Sequence, residues 1–203
     1  MARLGIFIDG AYLDFLCDGE FGRRVDLAGF TEQIRLVVEQ KSPESVDILR
    51  TFYYHCLPYQ GNPPTQDEAQ RMARSRNFFA TLDRLPRFTV RQGRLVPRGR
   101  DSSGNRVFEQ KRVDLLLGLD FAMLSSKHQV SHLVLVAGDA DFVPALKFAR
   151  DEGVLVWLFH GPKISSKGSS TYADELWLDA DERFEISEAF LKLAPRLSHR
   201  PSP

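Results

Sequence analysis

The sequence has few cysteines, no long apolar run and no net charge, and each of these features narrows the class of protein. The two cysteines, Cys17 and Cys56, form no CxxC motif and have no metal-ligand spacing, so we expect a reduced, cytoplasmic protein. No apolar run approaches membrane-spanning length, and the first apolar segment breaks too early for a signal peptide, so no membrane partner is expected. The 27 basic and 27 acidic residues balance, which by itself argues against a nucleic-acid partner.

The charges are nevertheless distributed unevenly along the chain. From Arg71 to Arg112 there are twelve basic and three acidic residues, a net charge of +9, and almost every basic residue is arginine. Acidic residues predominate from Asp114 to Glu188. A basic middle beside acidic strand ends fits a metal-dependent enzyme that acts on a polyanion. A solvated, arginine-rich helix and hairpin would give the same composition, so both interpretations stay open.

The segment around which the chain is organised is His132–Pro144. Its unbroken apolar run, Leu133–Val136, is typical of a strand buried on both faces, and Gly138 ends that run. Helical spacing follows, so Asp139 or Asp141 can cap a new helix that has a proline in its first turn. One cap needs one carboxylate, and a second beside it is repulsive unless a cation is present. We therefore favour a ligand site at the carboxyl end of this strand.

The alternation of strand and helix predicts a three-layer α/β fold with a central, mostly parallel sheet and right-handed crossovers. The predicted strands are Leu4–Ile8, Val46–Cys56, Phe88–Val90 with Leu95–Val96, Leu133–Val136, Val154–Phe159 and Trp177–Leu178. The predicted helices are Asp26–Gln40, Gln66–Leu85, Glu109–Ser126, one starting at Phe142, a short one around Asp174 capped by Ser169, Ser170 or Thr171, and Ile186–Leu193. We expect one domain over residues 1–194 and a disordered tail over 195–203.

The predicted helix Glu109–Ser126 is apolar on nearly all sides, which indicates a buried helix. Asp114, near its start, is unusual among these apolar residues, because a buried carboxylate needs polar or charged partners. Gly118 lies one turn later on the same face and leaves room for a ligand to approach. Asp120 lies well off that face, and a structural hydrogen bond is an equally open role for it.

Four aspartates are predicted to converge at one edge of the sheet: Asp9 at the end of the first strand, Asp114, Asp139 and Asp141. Two carboxylates about 4 Å apart repel by about 4 kcal/mol at an effective dielectric of 20, so the cluster must take up protons or hold a cation. Because no histidine or cysteine stands beside these acids, the fitting cation is Mg²⁺ or Mn²⁺. Carboxylate-held ions of this kind promote phosphoester hydrolysis.

Four blocks of sequence, in order, resemble the NYN domain family, a branch of the PIN-like nucleases, and most closely its bacterial LabA-like members. They are Ile-Asp9-Gly, Lys111-Arg-Val-Asp114, Ala-Gly-Asp139-Ala-Asp141-Phe-Val-Pro144 and Ala173-Asp174, and the match spans about Leu4–Phe184. The resemblance implies a PIN-like Rossmannoid fold and a metal-dependent ribonuclease. It also implies that Asp9, Asp114, Asp139 and Asp141 are metal ligands or water activators, with Lys111 near the site and Asp174 a peripheral acid.

One position departs from the family pattern: this chain has Tyr12 where the family often has asparagine three residues after the first aspartate. Tyrosine cannot orient a carboxylate or a water molecule in the same way. Tyr12 and the zero net charge favour a second interpretation, an RNA-binding or regulatory protein with weak or no catalysis. A haloacid-dehalogenase-type phosphatase ranks low, because such enzymes need Asp-x-Asp after the first strand and Asp9 is followed by Gly-Ala.

The expected substrate is RNA, in single-stranded form. The basic middle includes a charged, glycine-containing tip that is the part best placed to touch an extended ligand. The candidate substrate-binding residues are Arg98, Arg100, Arg106, Lys111 and Ser170. The sequence leaves open whether the protein forms a homodimer.

Overall fold

The fold is built on one sheet whose first strand lies at its centre. The computed structural model describes residues 1–100, 104 and 106–194. Its strands are β1 Ala2–Asp9, β2 Val46–Cys56, β3 Phe88–Arg100, β4 Arg106–Lys111, β5 His132–Val136, β6 Leu155–His160 and β7 Glu182–Glu185. The spatial order is β4-β3-β2-β1-β5-β6-β7, and all neighbours are parallel except the antiparallel pair β3 and β4. The predicted α/β fold with a mostly parallel sheet is confirmed.

The helices cover both faces of this sheet. They are α1 Gly10–Asp14, α2 Leu27–Lys41, α3 Gln66–Asp83, α4 Val113–Ser126, α5 Val143–Asp151, α6 Asp174–Asp179 and α7 Glu188–Lys192. A π-helical turn, Phe15–Glu20, follows α1, and a 3-10 turn, Ala140–Phe142, precedes α5. Asp26 caps α2 as predicted, since its side chain accepts a hydrogen bond of 2.8 Å from the Gly29 amide.

Two separate apolar clusters make the three layers. Because side chains alternate along a strand, Ile6 and Ile8 of β1 pack on one face with α2, α3 and α7. Phe7 packs on the other face with α4, α5 and α6, and its ring lies 4.8 Å from that of Phe121. The buried middle of this central strand therefore belongs to both halves of the core.

Several predicted boundaries are wrong. Trp177 and Leu178, predicted as a strand, belong to α6, and the last strand, β7, comes after them. Leu178 lies exposed on this helix and does not pair in the sheet. The short helix α6 has Ala173 at its N-cap, with no side-chain cap from the preceding serines and threonine. The spacing of apolar residues in α3 also predicts that Phe78 faces inward with Met72, Phe79 and Leu82. This is wrong for Phe78, since 44% of the residue is exposed.

The helix α4 differs most from its prediction. It starts at Val113, because residues Glu109–Lys111 pair with β3 in the hairpin. It is covered on one side only: Leu117 and Phe121 are fully buried, whereas Leu115 and Leu119 are 65% and 59% exposed. The sequence could not show this, because the apolar residues surround the whole helix and give no preferred face.

The chain order creates a topological switch between β1 and β5. From β1 the chain passes to β2 and β3 on one side, and it returns through α4 to β5 on the other side. Open α/β sheets bind ligands outside the carboxyl ends of the strands at such a switch. Residues 195–203, for which a disordered tail was predicted, lie outside the described residues.

Candidate functional site at the carboxyl edge of the sheet

Asp9 is the last residue of β1 and lies half-buried at the switch. Its Oδ1 accepts hydrogen bonds from the amides of Ala11 at 3.0 Å and Tyr12 at 3.3 Å, so it caps α1. The next residue must be glycine, because a Cβ on Gly10 would lie 2.6 Å from Cζ of Tyr53. Both capping bonds use the same oxygen, which leaves Oδ2 available to a ligand.

Asp139 follows the neighbouring strand β5, whose parallel pairing with β1 brings both strand ends to one edge. Its Oδ1 accepts a hydrogen bond of 3.1 Å from the Asp141 amide and caps the 3-10 turn before α5. Pro144 lies in the first turn of α5, as predicted. Asp141 is exposed, and within the described part of the chain its carboxylate makes no hydrogen bond or ion pair. The cap therefore accounts for one of the two acids only.

Asp114 approaches the same edge from the first turn of α4. It is exposed, so the prediction of a buried carboxylate is wrong: only one face of α4 is covered, and Asp114 lies outside that face. The pKa of Asp114 is nevertheless raised. The largest cause is partial desolvation of its carboxylate by the surrounding protein, and the negative charges of Asp139 and Asp141 add to it. The charge of Lys111 opposes that rise.

The electrostatic environment of Asp9 links it to the same group. Burial is the largest cause that raises its pKa, and the charge of Asp114 adds to this effect. The capping amides and the charge of His55 act in the opposite direction. Asp9 thus interacts with Asp114, which in turn interacts with Asp139 and Asp141, so the four predicted acids share one region at the sheet edge.

The chemistry of these donors fits Mg²⁺ or Mn²⁺, since all are carboxylate oxygens. As the side chains stand, no three histidine, cysteine, aspartate or glutamate residues of the described chain are close enough to hold one ion together. Mg²⁺ keeps several waters and often uses only one or two carboxylates, so the arrangement suits an ion that is largely hydrated. The exposed side chains of Asp114 and Asp141 would have to turn inward to add further ligands.

An open cleft of about 510 Å³ borders Asp9 and Asp139. Its opposite wall is the loop before α6, including Ser170, whose hydroxyl donates a hydrogen bond of 2.6 Å to the Tyr172 carbonyl. The candidate substrate-binding serine is therefore beside the acids. Its binding role stays a prediction.

The basic residues of the hairpin are partly neutralised by acids. Arg98 and Lys111 both form ion pairs with Glu109, and these two partners lower the pKa of Glu109 to about 2. Arg100 and Arg106 pair with each other across the end of the hairpin, and their side chains lie outside the described residues. Of this group, Lys111 contributes to the electrostatic environment of Asp114, and its place in a substrate site stays a prediction.

Two further acids have partners of their own. Asp120 is buried and accepts hydrogen bonds from Tyr54 at 2.9 Å and from Arg91 at 2.8 and 3.1 Å, which gives it a structural role between β2, β3 and α4. Asp174 is exposed at the start of α6 and pairs with Lys163. Its neighbour Ala173 lines the cleft beside Asp9 and Asp139, and the role of Asp174 as a peripheral acid stays a prediction.

Sequence reasoning missed the roles of Tyr12 and His55. Tyr12 is buried, and its hydroxyl accepts a hydrogen bond of 2.8 Å from the Gly161 amide. Its ring packs on Gly138, where a Cβ would lie 2.6 Å from Cε2 of the ring. His55 lies at the carboxyl end of β2, and its Nε2 is 3.0 Å from Oδ2 of Asp14. In the sequence, His55 could have been identified only as a polar residue at the carboxyl end of a central strand.

Comparison with known proteins agrees with this architecture. A family model described as the NYN domain matches residues 3–178, most of the chain. No curated protein matches. A crystal structure of a protein of unknown function from Vibrio parahaemolyticus is similar, with a TM-score of 0.55 and 17% identity over 94% of this chain and 96% of the other. At that identity the likeness concerns the fold alone. Among the described residues, no helix is both long and apolar enough to span a membrane.

Proposed function

Because this chain belongs to the NYN domain family, we propose that it is a metal-dependent ribonuclease whose active site is the cluster of four aspartates. Family membership gives the chain a nuclease-like fold of a kind that acts on nucleic acid. The observation that carries the finer proposal is the meeting of acids from three separate elements at the switch of the sheet. The carboxylates of two of them, Asp114 and Asp141, make no hydrogen bond or ion pair with the described chain, so a structural role does not account for these two acids. Placement in the LabA-like branch stays a prediction.

Asp9, Asp114, Asp139 and Asp141 would hold Mg²⁺ or Mn²⁺. When bound, such an ion activates water and neutralises charge that develops on the phosphodiester. The chain itself supplies rigidity, because backbone amides fix the carboxylates of Asp9 and Asp139. Lys111, whose charge acts on Asp114, and Ser170, on the opposite wall of the cleft, would bind phosphate oxygens.

The direct test is cleavage of a labelled single-stranded RNA by the purified protein. We expect cleavage with Mg²⁺ or Mn²⁺, none in EDTA, and none from Asp139→Asn. Asparagine still caps a helix, so this variant should fold. Asp151→Asn, at the other end of α5, removes an equally exposed acid and should leave the rate unchanged. Cleavage that persists in EDTA or in Asp139→Asn would rule out the proposed mechanism.

The binding of RNA should depend on the basic hairpin. Neutralising Arg98, Arg100 and Arg106 together should weaken affinity and flatten its salt dependence, since each lost phosphate contact removes roughly 0.7 from the slope on single strands. The effect should be below three full contacts, because Arg98 is already paired with Glu109. The slope of log affinity against log salt measures this directly. An unchanged slope would show that these arginines form a solvated surface.

A second function is supported by Tyr12. The tyrosine ties the end of β6 to α1 where family members often carry an asparagine, so its side chain is committed to structure. This favours an RNA-binding or regulatory protein of weak or no catalytic activity. Tight RNA binding without metal-dependent cleavage in the same assays would select this alternative.

A further inference from the structure

A second cleft, of about 480 Å³, lies beside the acidic site between α1, α3 and the base of the β3–β4 hairpin. Its apolar wall includes Leu13, Tyr53, Phe78, Phe79 and Leu95. The volume falls within the range of pockets that bind small organic groups. Its walls are aromatic and aliphatic, with charged groups at the rim.

The second cleft lies close to Asp9. Tyr53 and His55 line the second cleft, and a Cβ on Gly10 would lie within 2.7 Å of both residues. Gly10 directly follows Asp9, so one end of this cleft is a single residue away from a candidate active-site carboxylate. A chain molecule bound at the acids could therefore place its next unit here.

Phe78 gives the cleft an exposed aromatic surface. Its ring lies 6.0 Å from that of Tyr53 at an interplanar angle of 84°, and 5.8 Å from that of Phe79. Unlike these two neighbours, which are buried, 44% of Phe78 is exposed. The packing holds the ring in place while its free surface faces the cleft. An exposed ring of this kind can stack on a planar group.

Most of the charged residues around the cleft are basic. Its wall includes Arg24, Arg71 and Arg74 and one acid, Asp14, whose carboxylate lies 3.0 Å from Nε2 of His55. Arg24 is engaged by Asp18 and Arg71 by Asp67. Arg74 makes no hydrogen bond or ion pair with the part of the chain that the structure describes, so its guanidinium is available to a phosphate.

We propose that this cleft binds one unpaired base of an RNA strand, stacked on Phe78, with the adjoining phosphate at Arg74. This inference rests on the proposed function and adds to it a reason for selecting single strands. A base within a duplex is stacked on both faces and paired along one edge, so it cannot enter a cleft of this kind. Aromatic stacking accepts any base, so we expect little sequence preference.

The test measures binding of a labelled, unstructured ten-nucleotide RNA by fluorescence anisotropy, in EDTA to prevent metal-dependent cleavage. Two further probes are an abasic strand with the same phosphates and a blunt duplex of the same sequence. Phe78→Ala should weaken binding of the single strand by about fivefold or more. Arg74→Gln should weaken it and reduce the salt slope by roughly 0.7.

The chain offers matched controls. Phe148→Ala removes a phenylalanine that is 39% exposed on α5, away from the cleft. Arg76→Gln removes an exposed charge from the same helix as Arg74, at a position outside the cleft wall. Both should bind like the parent. Melting curves of all four variants check that each is folded.

Equal binding by Phe78→Ala and Phe148→Ala would overturn the proposal, as would an abasic strand or duplex that binds as well as the single strand. In that case a protein segment would be the next candidate occupant. Cleavage assays with Mg²⁺ separate this failure from failure of the proposed function. RNA that is cleaved normally by Phe78→Ala, with parent affinity, refutes the cleft alone. If Phe78→Ala weakens RNA binding but the parent protein never cleaves RNA, the ribonuclease proposal alone is refuted.

Discussion

The substitution Asp114→Asn tests whether the acid cluster is a metal site without requiring a substrate. In the folded protein the pKa of Asp114 is raised, first by restricted solvent and then by Asp139 and Asp141. A raised carboxyl pKa means that the stabilising contribution is present below the unfolded pKa, near 3.8, and is lost as pH rises through the folded value. At neutral pH the ionised side chain therefore costs stability in the metal-free protein.

The expected size follows from the exposure of Asp114. Interactions between exposed charges amount to about 0.2–1 kcal/mol, so removing the repulsion gains no more than this. The dipole of α4 opposes the gain, because a negative charge in the first turn of a helix is favourable by about 0.3–1 kcal/mol. The two effects nearly cancel. Without metal we therefore expect a small change in melting temperature, of either sign, below about 4 °C.

Asp67→Asn provides the matched control. Asp67 occupies the same position in the first turn of α3, is exposed, and pairs with Arg71 away from the acid cluster. Replacing Asp67 by asparagine removes its favourable interaction with the dipole of α3, and it relieves no repulsion from other acids. Asp67→Asn should therefore lower the melting temperature in EDTA more than Asp114→Asn does, and the difference should shrink as pH falls toward 4.

Added metal gives the decisive readout. An ion that binds only the folded state stabilises it by about 2.7 kcal/mol at a hundredfold excess over its dissociation constant, or roughly 5–10 °C for a chain of this size. We expect this rise for the parent and for Asp67→Asn, and a smaller one for Asp114→Asn. Thermal melts of the three proteins with EDTA, Mg²⁺ and Mn²⁺ provide the comparison. A parent protein that shows no metal response would refute the metal site.

Two more predictions separate structural residues from the site. Asp120→Ala should destabilise the protein by about 1.5–3 kcal/mol in denaturant melts, because the buried hydrogen bond from Tyr54 and the partly buried ones from Arg91 are lost. The thermal metal response should stay intact, and a lost response would bring Asp120 into the site. Gly138→Ala should cost about 1–3 kcal/mol and reduce cleavage, since the new Cβ would lie 2.4 Å from the Thr171 carbonyl oxygen. Gly118→Ala, with open space around it, should instead stabilise by up to about 1 kcal/mol, and equal effects of the two changes would contradict the steric argument.

The sheet could be predicted because its strands carry the information locally. Val46–Cys56 was predicted with the bounds that the structure has, and Leu133–Val136 lies within β5. Fully buried parallel strands read as continuous apolar runs, and an acid directly after such a run marks its carboxyl end. Convergence of Asp9 and Asp139 then followed from the rule that parallel strands end at the same edge.

Other features depend on contacts distant in the sequence and could not be predicted. Tyr12 bonds to Gly161, 149 positions away, and nothing near Tyr12 in the sequence indicates that partner. The second cleft needs α1, α3 and the hairpin together. Trp177 and Leu178 have a composition that suits a strand, but a single short element carries too little pattern to separate strand from helix.

The four aspartates divide into two pairs with different physical character. Asp9 and Asp139 each use Oδ1 to cap the segment that follows a parallel strand, and these bonds fix the carboxylates at the switch of the sheet. Asp114 and Asp141 are exposed, as Asp139 is, but their carboxylates accept no hydrogen bond in the described chain, so they can turn toward an ion or away from it. The proposed site need not be closed before an ion arrives, and it is therefore compatible with the lack of three ligands already in place among the described residues. In this proposal, helix capping and metal binding would use different oxygens of the same carboxylate, so evidence for the first role does not count against the second.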